Sequence, residues 1–271
     1  MISDLHTHSD TSPDNVQTIR EIYEAAVKKG LEYICITNHH EFVSQSVKEG
    51  YVLDTEKIRR YKEDFKILPK NRKIQIFFGT EIGYCEDREK ETRDFIKAHN
   101  FDFVIGSVHW VDQFHVPDSR TRWELKDKPE LQREVIEKYF IQVKKAISSG
   151  LFDVIGHIDV YKKVIPEPSF ETLKGQWTEV ADLLVKSKVG FEVNTSYKNY
   201  FGEKPVPSIY PSREIIELFL ERGVKIITIG SDGHSPDRIG DQIDLVEEML
   251  RGLGVQEICY FKNRKVNFVR L

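Results

Sequence analysis

Ile2-Ser-Asp-Leu-His-Thr-His8 opens the chain: an apolar run of strand length that ends in two histidines one residue apart. The same pattern recurs down the sequence. After Ile2–Leu5, β-like runs come at Tyr33–Thr37, Ile74–Gly79, Phe101–Val108, Val154–Gly156, Gly190–Val193 and Lys225–Gly230. Most are rich in Ile, Val, Phe and Tyr without strict polar alternation, which predicts strands buried on both faces, as in a parallel sheet. Amphipathic stretches separate them. Ile19, Ile22, Tyr23, Ala26 and Val27 share a helical face that Gly30 ends. Asp54 caps a stretch reaching about Leu68, with Pro69 after it, and Pro129 opens a helix that runs to Gly150. Further helices are expected from Ser169 to about Lys188, from Pro211 to near Gly223, and from Ile239 to Arg251. Ile258–Phe261 and Val266–Leu271 read as a hairpin around Lys262-Asn-Arg-Lys. A strand–helix unit repeated about seven times implies parallel strands with helical crossovers, either in an open doubly wound sheet or in a closed barrel. The longest irregular stretch is Trp110–Lys128, a candidate substrate loop.

The chain has 271 residues and a formal charge of −4, with 39% hydrophobic and 31% charged residues. That is ordinary globular composition and enough chain for a large core. No linker or low-complexity segment divides it, so one domain over residues 1–271 is expected. No apolar run approaches the ~20 residues of a membrane span, and Asp4 and His6 come too soon after Met1 for a secretory segment. Cys35, Cys85 and Cys259 are odd in number and far apart, which excludes a disulfide framework and a cysteine zinc ribbon and points to the cytoplasm. Cys35, inside a strand, reads as a small buried hydrophobe. A mildly acidic chain is a poor nucleic-acid binder; Lys70-Asn-Arg-Lys73 reads as a solvated turn.

The residues at the carboxyl ends of the apolar runs carry the chemistry. His6 and His8 come after the first run, with Asp14 beyond; Asn38, His39 and His40 after the second; Glu81 after the third; His109 after the fourth; His157 after the fifth; Asn194 after the sixth; Asp232 and His234 after the seventh. Seven of the nine histidines lie just past a strand's carboxyl end, His99 and His115 being the others. In a β/α barrel or open α/β sheet these positions open onto one face, where active sites lie. Imidazole binds zinc, iron and similar ions, and carboxylates add charge and bridge ions. His6-x-His8 and Asp232-x-His234 each place two side chains on one side of a strand end. His6, His8, Asp14, His39, Glu81, His109, His157, Asp232 and His234 make nine candidate ligands, enough for two to three divalent ions of zinc, iron or manganese. The spacing leaves open whether His39 or His40 is the ligand. Neither a G-x-S-x-G nucleophile nor a phosphate-binding G-x-x-x-x-G-K loop is present. Clustered ions with open positions suit hydrolysis of a phosphate ester by a metal-activated hydroxide.

Asp4-Leu-His-Thr-His-Ser resembles the opening motif of the polymerase-and-histidinol-phosphatase (PHP) family. Thr37-Asn-His-His-Glu, Gly79-Thr-Glu, Gly106-Ser-Val-His, Gly150-Leu-Phe-Asp-Val-Ile-Gly-His-Ile-Asp, Glu192-Val-Asn-Thr-Ser and Gly230-Ser-Asp-Gly-His-Ser-Pro are similar to its later motifs, in order. The stretches around 150–159 and 192–196, with Ile209-Tyr-Pro-Ser, resemble the histidinol-phosphate phosphatase branch. The resemblance implies a single-domain α/β fold, a distorted (β/α)7 TIM-like barrel, with a trinuclear centre. His6, His8, Glu81 and Asp232 would hold one ion, Glu81, His109 and His157 a second, and Asp14, His39 and His234 a third, with Glu81 bridging. The implied reaction is hydrolysis of L-histidinol phosphate to L-histidinol, a step of histidine biosynthesis, with Glu81, Asp232 and His234 at the reacting group. The alternatives are a PHP phosphoesterase for nucleotides or another small phosphomonoester, and an inactive PHP binding module.

Two positions depart from the family pattern. Asn38 stands where the second motif usually has Asp, and an Asn can still accept a hydrogen bond through its carbonyl. After Asn194-Thr-Ser the branch often reads Gly-Leu-Arg, whereas this chain reads Tyr197-Lys198-Asn199, a point charge in place of a bidentate fork. Lys162, Lys163 and Lys198, just past the fifth and sixth strands, are the candidate phosphate grips. Asp112, Asp118 and Trp123 in the long loop are candidates for the amine and imidazole of the substrate.

Overall fold

The apolar runs lie side by side in chain order. The computed structural model describes residues 1–69, 74–165, 168–196 and 209–271. Strands β1 (Ser3–Thr7), β2 (Tyr33–Ile36), β3 (Gln75–Gly83), β4 (Phe103–Ser107), β5 (Val154–Ile155), β6 (Gly190–Asn194) and β7 (Ile227–Gly230) form one parallel sheet in that order. Each parallel step needs a crossover, and helices α1 (Ile19–Lys29), α2 (Thr55–Lys66), α3 (Glu89–His99), α4 (Pro129–Ser148), α5 (Phe170–Ser187) and α6 (Arg213–Glu221) lie between the strands. Helix α7 (Ile243–Gly252) comes after β7.

The sheet curls until its first and last strands meet. Thr7 bridges Gly233 in parallel, and the His8 N–H donates to the Gly233 carbonyl at 3.1 Å. Asp4 stitches the same seam: its carboxylate accepts from Ser231 N (2.9 Å), Ser231 Oγ (2.5 Å) and Gly240 N (2.7 Å). The expected (β/α)7 barrel is therefore present, nearly closed and distorted at this seam. Burial pushes the Asp4 carboxyl up to about 6, against the donors that surround it.

Local signals act where the sequence places them. Thr18 and Glu21 form a capping box on α1, and Gly30 ends that helix at φ 72°. Asp54 accepts from Lys57 N at the start of α2 (2.8 Å), and Pro129 opens α4. The last helix starts four residues later than expected. Gly240 (φ 68°) and Gln242 (φ 58°) are left-handed, and the Gly240 N–H is drawn to Asp4 instead of continuing a helix. Strand β1 extends to Thr7 and β3 to Gly83, so His6 and Glu81 sit within strands and not after them. The stretch from Trp110 is not irregular: Trp110–Val111 pairs with Phe114–His115 in a hairpin, and Ser119–Leu125 is helical. The Lys70–Lys73 turn lies outside the described residues.

The expected tail hairpin, β8 (Glu257–Lys262) against β9 (Lys265–Arg270), plugs the amino-terminal end of the barrel. Cys259 and Phe261 pack with Leu5, Cys35, Phe77, Phe103, Ile105 and Val154, and Cys35 is fully buried as a small hydrophobe. Arg264 pairs with Asp153 at 2.6 Å and donates to the Leu151 carbonyl at 2.7 Å. With one end filled by this apolar layer, the opposite, carboxyl end remains for chemistry.

Candidate metal centre

At the carboxyl end the strands deliver nine acid and imidazole side chains to one cleft. Glu81, on β3, is the hub. Its Oε2 lies 3.3 Å from His6 Nε2, 3.7 Å from His8 Nε2 and 2.8 Å from His39 Nδ1. Its Oε1 lies 3.2 Å from His109 Nε2 and 3.0 Å from His157 Nε2. Asp232 Oδ1 approaches His8 Nε2 (3.2 Å), His6 Nε2 (3.7 Å) and His234 Nδ1 (3.5 Å). Asp14 Oδ2 approaches His234 Nε2 (3.0 Å) and His39 Nε2 (3.5 Å). The structure thus brings all nine predicted residues together. His6, His8 and Asp232 form one group able to hold a metal ion, Glu81, His109 and His157 another, and His39 and His234 a third together with His8.

The donor set fits ions. His6 Nε2, His8 Nε2, His39 Nδ1 and Glu81 Oε2 are buried and make no hydrogen bond. Such groups are costly unless something else satisfies them, and lone pairs converging from imidazole and carboxylate are what zinc, iron or manganese accept. Burial alone would raise the Glu81 carboxyl, yet the His6, His109 and His39 rings hold it well below the usual range. Asp232 is held down against burial by His6, His8 and His234. Burial opposes charge on His109 too, but Glu81 and Glu41 raise it to about 9. A divalent ion bound there would take the place of these protons.

Outer contacts fix the rings. His6 Nδ1 bonds Glu192 Oε1 at 2.7 Å, leaving Nε2 aimed inward, and Glu192 Oε2 accepts from the His157 backbone N–H at 2.9 Å. His109 Nδ1 bonds Glu41 Oε1 at 2.6 Å. A Cβ at Gly230 would strike Glu192 and His6, so glycine there makes room for this pair. The sequence pattern alone assigns no role to Glu41 or Glu192. A signal exists for Glu192, a lone carboxylate inside an apolar run, since acids are rarely buried without a partner. Asn38 accepts through its carbonyl, as its chemistry allows, but from Ser9 N (2.7 Å) and not from a ring. Ser12 Oγ in the same loop donates to the Asn38 carbonyl (3.4 Å) and accepts from His39 N (3.1 Å), so Asn38 reaches His39 through Ser12.

The choice between the adjacent histidines is decided by position. His39 faces the cleft, whereas His40 turns away, accepts from Leu53 N (3.1 Å) and stacks on Phe95 at 3.8 Å. The candidate substrate contacts divide. Lys163 lines the cleft with Val160, Ser196 and Tyr210. Lys162 turns aside to Asp159 (2.8 Å) and the Ile209 carbonyl (2.8 Å). Lys198 lies outside the described residues. Asp112 pairs with Lys138 at 2.7 Å, Trp123 is 72% exposed beside Lys126, and Asp118 caps the helix Ser119–Leu125 while pairing with Arg120. None of these three lines the cleft. His115, which lies outside the strand-end pattern of the sequence, does line it, with Tyr51 and Glu49.

Comparison with known proteins agrees with this geometry. The PHP domain model matches residues 4–196. A probable histidinol-phosphatase of Deinococcus radiodurans is 27% identical over 273 residues, covering 98% of this chain and 98% of the relative. The histidinol-phosphatase of Lactococcus lactis subsp. lactis is 27% identical over 270 residues, covering 97% of this chain and 96% of the relative. The crystal structure of histidinol phosphate phosphatase from Lactococcus lactis subsp. lactis, complexed with zinc, L-histidinol and phosphate, superposes with a TM-score of 0.82 at 25% identity, covering 98% of this chain and 100% of that one.

Proposed function

The chain belongs to the PHP domain family, and from that premise we propose that residues 1–271 act as one metal-dependent phosphomonoesterase that hydrolyses L-histidinol phosphate to L-histidinol and phosphate, a step of histidine biosynthesis. The observation that carries the reading is Glu81 placed among five imidazoles, with buried lone pairs that no hydrogen bond satisfies. Similarity along almost the whole chain to histidinol-phosphatases supports the substrate. Free cysteines at Cys35, Cys85 and Cys259 support a cytoplasmic setting. Among the described residues no helix is long and apolar enough to cross a membrane.

In this reading His6, His8, Glu81 and Asp232 hold one ion, Glu81, His109 and His157 a second, and Asp14, His39 and His234 a third. Two to three divalent ions (zinc, iron or manganese) would supply the activation of water and the neutralisation of phosphoryl oxygens. Glu81, Asp232 and His234 face the reacting phosphate; the Asp232 and His234 side chains remain 16% and 33% exposed to the cleft. Glu192 and Glu41 keep His6 and His109 in the tautomer that turns Nε2 inward. Lys163 supplies a fixed cation for the phosphate dianion. Phosphate release from L-histidinol phosphate against a panel of phosphomonoesters, with metal analysis of the same sample, tests the reading. A preference for nucleotides would turn it to another member of the family's chemistry, and no release from any ester would overturn it.

A further inference from the structure

The cleft does not end at the metal ligands. A second cavity of about 180 Å³ adjoins it, and Glu49 and His115 line both. The two residues form a threshold between the chambers. Its walls are held in place: Trp110 Nε1 donates to Ser46 Oγ at 2.9 Å, tying the hairpin Trp110–His115 to the short helix Ser44–Lys48 that immediately precedes Glu49. The His115 ring stacks on Trp110 at 4.6 Å and so presents a backed aromatic face. The cation of the side cavity's described lining, Arg120, is paired with Asp118 at 2.6 Å, whereas Glu49 accepts a neutral amide, from Gln45 at 2.6 Å. Glu124 adds another carboxylate to the wall. The chamber beyond the threshold is therefore polar, net acidic and flanked by a flat ring.

We propose that Glu49 and His115 are specificity-determining residues that receive the organic, cationic end of the substrate, Glu49 pairing with its ammonium group and His115 lying against its imidazole, while the phosphoryl group stays at the Glu81 centre. The inference rests on the proposed histidinol-phosphate activity and assigns the recognition of its leaving group. Of the loop acids, Asp118 lines the same chamber but is held by Arg120, and Asp112 is held by Lys138 outside it. A carboxylate meeting an ammonium and an aromatic ring meeting imidazole favour histidinol over an uncharged alcohol of similar size.

Kinetics and binding of Glu49→Gln and His115→Leu in the metal-loaded protein test it. For L-histidinol phosphate, kcat/KM should fall at least tenfold in each variant, mainly through KM, and its ratio to kcat/KM for p-nitrophenyl phosphate should fall by a similar factor. L-Histidinol binding, measured by calorimetry without turnover, should weaken at least tenfold, with metal content unchanged. Equal losses on both esters, or L-histidinol binding within twofold of wild type, would overturn the inference. The calorimetric arm keeps it separate from the proposed activity. If wild type binds L-histidinol and the variants do not, the inference stands even where L-histidinol phosphate proves a poor substrate. If wild type does not bind L-histidinol, the inference fails.

Discussion

Glu192 and His6 lie 186 positions apart in sequence and are joined by a 2.7 Å hydrogen bond at the base of the cleft. The same carboxylate accepts the His157 backbone N–H at 2.9 Å, so one buried acid sets residues that serve two ions in the proposed centre. Glu192→Gln keeps the shape but must turn an amide N–H either toward His6 or toward the His157 and Asn194 donors. Losses of outer partners of this kind typically cost about 10–100-fold in metal affinity or activity. Metal titration of the variant should show weakened binding in that range; wild-type affinity would remove Glu192 from this role.

Removing metal should abolish activity. His6 Nε2, His8 Nε2, His39 Nδ1 and Glu81 Oε2 are buried with no hydrogen-bond partner among the described residues, as atoms that await an ion would be. Dialysis against a chelator should leave no measurable phosphatase, and manganese or zinc should restore part of it. Full turnover in protein verified as metal-free would sink the mechanism.

Glu81→Gln removes a charge that five imidazoles share. Its loss should exceed that of an outer partner, so activity should fall by at least ~10²-fold and metal content should drop with it. Near-normal rate and stoichiometry in this variant would falsify the bridging role.

Lys163, on the cleft wall, should hold the phosphate without touching the metals. Lys163→Met should cost about 1.5–3 kcal/mol of transition-state stabilisation, roughly 10–150-fold in kcat/KM, the scale of a charged hydrogen bond. Lys163→Arg should be less harmful, and metal content should stay constant in both. If Lys163→Met leaves kcat/KM within about twofold, the grip lies elsewhere, with Lys198 the next residue to test.

Burial pushes the Asp153 carboxyl up to about 6 from its usual 3.8, despite Arg264 and the Val104 N–H. An acid with a raised native pKa binds its proton more tightly folded than unfolded. Its favourable contribution is complete below about pH 4 and is lost as pH rises through about 6. Asp153→Asn removes that dependence. Between pH 4 and 6.5 the stability of the variant relative to wild type should therefore move in its favour, by up to about 3 kcal/mol. Asp4 titrates in the same range in both proteins, so the difference isolates Asp153. Urea unfolding at several pH values measures it; a difference flat with pH would refute the assignment.

The order of strands and helices and the gathering of nine ligand-type residues at one end were legible in the sequence, because both arise from local rules. Apolar runs between amphipathic stretches make parallel crossovers, and residues at the carboxyl ends of parallel strands share a face whatever their separation. Position within that face was not legible. His39 and His40 are neighbours of one type, and which of them turns inward depends on Phe95 and Leu53, which hold His40 outside. Of the adjacent lysines, Lys162 is drawn aside by Asp159 and the Ile209 carbonyl, and Lys163 lines the cleft. His115 reads as a loop residue along the chain, and only the hairpin with Trp110 brings it to the cleft. Local periodicity therefore determined the strand–helix order and the gathering of these nine residues at one end, while closure into a barrel came from the seam between the first and last strands. The direction of each side chain was decided by long-range partners, since hydrogen bonds and packing act across space and leave no mark at a fixed spacing along the chain.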